Sequence, residues 1–104
     1  MNSEENIMKH EVNEKTLTIY LEGEINSSNS EQVEKDVEKV MAESTFDKVV
    51  LDFENVRYIS SAGLRIIVRI KQQYDDTSLV KVPKGVYDIL EMVGFNNLMT
   101  IEKL

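Results

Sequence analysis

The sequence predicts an α/β fold: one small mixed β-sheet packed with three main helices, in the order β-β-α-β-α-β-α-β. Three observations carry that prediction. Leu17, Ile19 and Leu21 alternate with polar residues, the period of a half-buried strand. Val33, Val37, Val40 and Met41 recur at helical spacing. Short apolar runs then alternate with helical patterns to the end of the chain, the signature of parallel strands joined by right-handed crossovers.

Residues 1 to about 6 read as a loose polar tail, and residues 7–104 as one domain. Ile7 and Val12, followed by Thr16 to Leu21, form a hairpin pattern with its turn at Asn13-Glu14-Lys15. Gly23 is expected to break the second strand, leaving Glu24 to Asn29 as a polar loop. Ser28 and Glu31 have the spacing of a capping box that would start the first helix. Glu34–Glu38 and Lys35–Lys39 are like-charge pairs, so this helix depends on burying its valine stripe.

Lys48 to Phe53 reads as a central strand covered on both faces, because Val49-Val50-Leu51 is continuously apolar. Asp52 and Glu54 read as solvated charges at its C-terminal end. A second helix runs from Leu64 to Tyr74, apolar round much of its circumference. Ser78 to Val82 is a short strand closed by Pro83. Lys84-Gly85 opens a third helix with Val86, Ile89, Leu90 and Val93 inward, and Gly94 takes the C′ position. Phe95 to Ile101 is read as an edge strand. Met92 and Met99 are read as core, where methionine fills gaps.

Composition excludes several function classes. The 104-residue chain has a net charge of −7, which disfavours nucleic acid and anionic membranes and suits a basic protein surface. It has no cysteine and one histidine, His10, so disulfides, thiol chemistry and His-based triads or metal sites are disfavoured. No apolar run is long enough to insert in a membrane. The polar start does not resemble a secretory signal, so the expected location is cytoplasmic.

The segment Tyr58-Ile59-Ser60-Ser61-Ala62-Gly63-Leu64-Arg65 carries the functional question. It places two hydroxyls where a loop turns into a helix, beside free N–H groups and a partial positive charge. A serine there is either an N-cap or a regulated serine. Gly63 would give a partner room to approach. Tyr58 is either an interface anchor or half-buried core. In a parallel sheet the Asn26-Ser27-Ser28-Asn29 loop is expected at the same end as this turn.

Three elements together resemble the STAS domain, and more narrowly the bacterial anti-sigma factor antagonists. They are Leu21-Glu22-Gly23-Glu24-Ile25-Asn26, Val49 to Phe53, and Ile59-Ser60-Ser61-Ala62-Gly63-Leu64. The resemblance covers roughly Met8 to Leu104. It implies a binding module, not an enzyme, that needs no cofactor of its own. Its partner would be an anti-sigma factor that is also a serine kinase and supplies the ATP-binding site. Phosphorylation would fall on Ser61, or less favourably Ser60, and would release the kinase; a serine phosphatase would restore binding. The contact surface would include Asn26, Ser27, Tyr58, Ser60, Ala62, Gly63 and Arg65. This chain carries Ser60 and Asn26 where the family usually has Asp. Those departures keep open a phosphorylation-independent STAS adaptor in a transporter or sensory complex. A small nucleotide hydrolase is disfavoured, because no Gly-rich phosphate loop with its lysine is present.

Overall fold

The computed structural model describes residues 8–104. The tail and Ile7 lie outside the described residues. Strands β1 (His10–Asn13), β2 (Thr16–Ile25), β3 (Lys48–Ile59), β4 (Thr77–Val82) and β5 (Thr100–Lys103) form one five-stranded sheet. Helices α1 (Ser30–Ala42), α2 (Ser61–Gln73) and α3 (Lys84–Met92) connect its parallel strands. The expected fold class and element order are therefore observed.

The sheet order is β1-β2-β3-β4-β5, the order of the chain. The β1–β2 hairpin is antiparallel, and every later pairing is parallel. Three crossovers that step the same way must place their helices on one face if all are right-handed. A single core follows. Leu17, Ile19 and Leu21 of β2, Val49, Leu51 and Phe53 of β3, and Leu79 of β4 meet Val37 and Val40 of α1, Ile66, Ile67 and Ile70 of α2, and Val86 and Leu90 of α3. The opposite sheet face bears Thr18, Tyr20, Val50, Ser78 and Val80, all partly exposed. This corrects the expectation of a strand covered on both faces: Val50 points away from the helices, and an unbroken apolar run hid that alternation.

The hairpin turn is tighter than expected, with Glu14 and Lys15 at φ 52° and 67°. Two left-handed residues in a two-residue connection match the twist of the flanking strands. β2 does not end at Gly23. It continues to Ile25 through register irregularities around Glu22 and Gly23, and Gly23 takes φ 75°, a conformation glycine adopts without a Cβ penalty. β3 likewise runs on to Ile59, pairing Glu24 with Tyr58 and Ile25 with Ile59.

The extension of β3 corrects the placement of Asp52 and Glu54, which lie mid-strand. Asp52 is only 6% exposed. Its carboxylate accepts the Glu54 amide, and the Lys81 ammonium stands 4.0 Å from Asp52 and 3.8 Å from Glu54. Lys81 holds φ 54°, and a register irregularity separates Leu79 from Val82 in the β4–β5 ladder.

At the C-terminal end, Gly94 takes φ 84° after α3, as expected of a C′ glycine. Phe95–Asn97 then forms a 3-10 turn instead of the start of a strand, burying Phe95 and Met99. β5 begins only at Thr100. Met92 and Val93, both expected inside, stand outside: α3 ends at Met92, so its inward stripe stops at Leu90.

Candidate functional site

The site is built at the C-terminal ends of β2 and β3. Ile59 and Ile25 are buried and end the two strands as partners on one rung of the ladder. The next amide, that of Ser60, donates to the Ile25 carbonyl at 2.8 Å. The loop after β2 and the turn after β3 thus leave the sheet side by side, as the parallel arrangement demands.

The two serines then divide. Ser60 is the N-cap of α2: its backbone is extended, and its hydroxyl accepts from the Gly63 amide at 3.4 Å. The Ser60 carbonyl also accepts from the Leu64 amide at 2.9 Å. Ser61 is the first helical residue, and it is exposed. The hydrogen bonds that close the turn run through Ser60, so the Ser61 hydroxyl faces solvent beside the amide end of a 13-residue helix. The capping question therefore has a separate answer for each residue.

Gly63 is buried, and its role is corrected. A Cβ on Gly63 would lie 2.7 Å from Ile59 Cγ1 and 2.8 Å from Ile25 Cγ2. The space is taken by the chain's own core, not kept for a partner. The glycine lets α2 settle directly onto the ends of β2 and β3. Ala62 beside it is partly exposed.

The loop after β2 is held by asparagines. The Asn26 side-chain oxygen accepts from the amides of Ser28 at 2.9 Å and Asn29 at 3.2 Å. Asn29 returns the contact: its side-chain oxygen accepts from the Asn26 amide at 2.9 Å, and its side-chain amide donates to the Glu24 carbonyl at 2.7 Å. The expected capping box is absent. α1 starts at Ser30 with Asn29 as N-cap, and Ser28 is exposed with no capping role. Asn26 takes the Ser28 amide, which the Glu31 side chain of a capping box was expected to serve. Asn29 was missed, although the Asn-x-x-Asn spacing was its signal. Asn26 is thus a structural lock that remains partly exposed, while Ser27 is fully available.

Tyr58 is 46% exposed and sits opposite Glu24 on the β2–β3 ladder, so part of its ring is open to solvent at this end. Arg57 is exposed beside it. Arg65 is exposed four residues after Ser61, on the same side of α2. Ser61, Arg65, Tyr58, Ser27 and the rim of Asn26 therefore share one end of the molecule. Among the described residues, no group of three or more His, Cys, Asp or Glu side chains is arranged to hold a metal ion. Among them, too, no helix is long and apolar enough to cross a membrane.

Comparison with known proteins agrees with this architecture. The STAS domain family model matches residues 8–103. BtrV of Bordetella bronchiseptica, provisionally named an anti-sigma factor antagonist, is 31% identical over 85 residues, covering 78% of this chain and 72% of BtrV. A crystal structure from Thermotoga maritima with the same provisional name superimposes with a TM-score of 0.82 at 18% identity, covering 95% of this chain and 88% of that one. The anti-sigma factor antagonist SpoIIAA in its unphosphorylated form gives a TM-score of 0.72 at 18% identity, covering 90% and 86%. Fold, element order and sequence kinship converge: the chain belongs to the STAS domain family, among relatives named as anti-sigma factor antagonists.

Proposed function

We propose that this protein is an anti-sigma factor antagonist whose binding is switched by phosphorylation of Ser61. The unphosphorylated end formed by Ser61, Arg65, Tyr58, Ser27 and Asn26 receives an anti-sigma factor with serine kinase activity. The antagonist itself is a binding module, not a catalyst, and it acts in the cytoplasm. A serine phosphatase resets it. The observation that carries this reading is the division of labour in the turn. Ser60 caps the helix, so Ser61 can be modified without removing a hydrogen bond that the fold uses.

The electrostatics give the switch its direction. A phosphate on Ser61 adds about −1.5 to −2 charges at neutral pH. The amide end of α2 and the Arg65 guanidinium favour that charge locally, so the fold tolerates it. A partner surface shaped for a neutral hydroxyl meets new bulk and charge, and the complex weakens.

The test is to incubate the purified chain with its cognate kinase and ATP and measure intact mass. One phosphate is gained, and Ser61→Ala abolishes the gain. Kinase binding falls in the phosphorylated form. The adaptor reading has one feature in its favour, the replacement of family carboxylates by Ser60 and Asn26. It takes over if the partner binds while no phosphate is transferred.

A further inference from the structure

We infer that the end of the molecule opposite Ser61 is a second docking surface, fitted to a basic amphipathic segment of a partner protein. Three large apolar side chains stand exposed within seven consecutive residues: Met92 (83%), Val93 (51%) and Leu98 (53%). They surround the Gly94 turn, which Phe95 and Met99 pin to the core from inside. α3 runs back against the strands, so its C-terminal end lies away from the Ser61 turn. Apolar side chains gathered in one exposed stretch mark interaction surfaces more often than isolated ones do. Methionine in particular adapts to different apolar partners.

The charge around the patch selects the occupant. The last turn of α3 has no basic residue, and Glu91 stands exposed within it. The negative end of the helix is thus reinforced where proteins usually place a cation. Leu98 also borders a groove lined by Asp75, Asp76 and Glu102, together with Lys48 and Lys71. The Lys71 ammonium is already engaged, donating to the Asp75 carbonyl and pairing with its carboxylate. A helix with an apolar stripe and flanking Lys or Arg would bury Met92, Val93 and Leu98 and bring cations to Glu91 and Asp76, the Asp75 carboxylate being already paired with Lys71. A second copy would instead oppose Glu91 to Glu91, between chains that each carry a net charge of −7. An anionic lipid surface meets the same repulsion.

The probe is an 18-residue synthetic peptide of leucine and lysine at helical spacing, titrated into the isotope-labelled full chain and followed by amide chemical shifts. The shifts gather at residues 88–98 and at Asp75 and Asp76, and leave the Ser61 turn unmoved. The same peptide with glutamate in place of lysine produces none. The double change Met92→Gln and Leu98→Gln, whose unfolding midpoint stays at the wild-type value, weakens binding by about ten-fold or more. The inference is overturned if shifts spread over the whole acidic surface, if they survive the double change, or if the chain dimerises through this patch without peptide. It stands or falls separately from the serine switch, because the probe involves neither kinase nor phosphate.

Discussion

Gly63→Ala is the sharpest perturbation of the site, because one added methyl group meets two fixed neighbours. Its Cβ would lie 2.7 Å from Ile59 Cγ1 and 2.8 Å from Ile25 Cγ2. Both atoms are bonded directly to their own Cβ, so neither moves without a χ1 change or a backbone shift. Overpacking of this kind costs about 1–3 kcal/mol. Against it stands the helix preference for Ala over Gly, about 1 kcal/mol in a helix interior and less in a first turn. The net expectation is a loss of about 1–2 kcal/mol, from a total of about 5–15 kcal/mol for a domain of ordinary stability. For a domain near 100 residues this lowers Tm by about 5–15 °C. Thermal and urea unfolding of both proteins, with the urea slope compared, measure it. Binding at the Ser61 end should weaken too, since α2 can accept the methyl group only by lifting from Ile25 and Ile59. A variant with unchanged or higher Tm would refute the argument, showing that the close approach of α2 is not what the glycine provides.

Three further expectations follow from the described geometry. Ser60→Ala removes the cap and should cost about 0.5–1 kcal/mol, the low end for caps given its 3.4 Å bond, while Ser61→Ala should stay within about 0.5 kcal/mol of wild type in the same urea titration. Lys81→Ala and Lys81→Gly both lose the ammonium near Asp52 and Glu54, but only Ala keeps the left-handed strain at φ 54°, so the Gly variant should be the more stable by about 1 kcal/mol. Burial and the nearby carboxylates of Glu11 and Asp52 hold the Tyr20 hydroxyl above its ordinary value of 10.0. The unfolded chain therefore loses this proton first, and stability falls as pH rises from the unfolded value through the folded one. Tyr20→Phe should make the alkaline decline shallower in unfolding curves taken across that range.

The sequence made the topology legible because strand and helix periods differ and alternate cleanly from Thr16 to Val82. It made the serine turn legible because Ser60 to Gly63 sit between an apolar strand and an apolar helix. Strand ends were harder. Gly23 and the Asn55-Val56-Arg57 stretch look like breaks, yet the β2–β3 ladder carries both through with irregular register, since pairing across strands outweighs local preference. Local pattern also misassigned Ser28, because Asn26 takes the Ser28 amide and, with Asn29, locks the loop by reciprocal bonding so that the helix starts later, after Asn29. The exposure of Met92 and Val93 depends on where α3 stops and how the 3-10 turn folds under it, a tertiary matter that hydrophobicity alone does not encode.

The agreement between strand order and chain order bears on how this protein comes to exist. Each strand pairs with the one synthesised just before it, so no strand waits for a distant partner. Loop-closure cost stays low at every step, which favours rapid folding and suits assembly during synthesis. The Ser61 end needs only β2, β3 and the start of α2, so its parts are adjacent before α3 and β5 have been added. The apolar patch at Met92 and Leu98 belongs to the last portion to arrive, so it takes shape only as the fold closes.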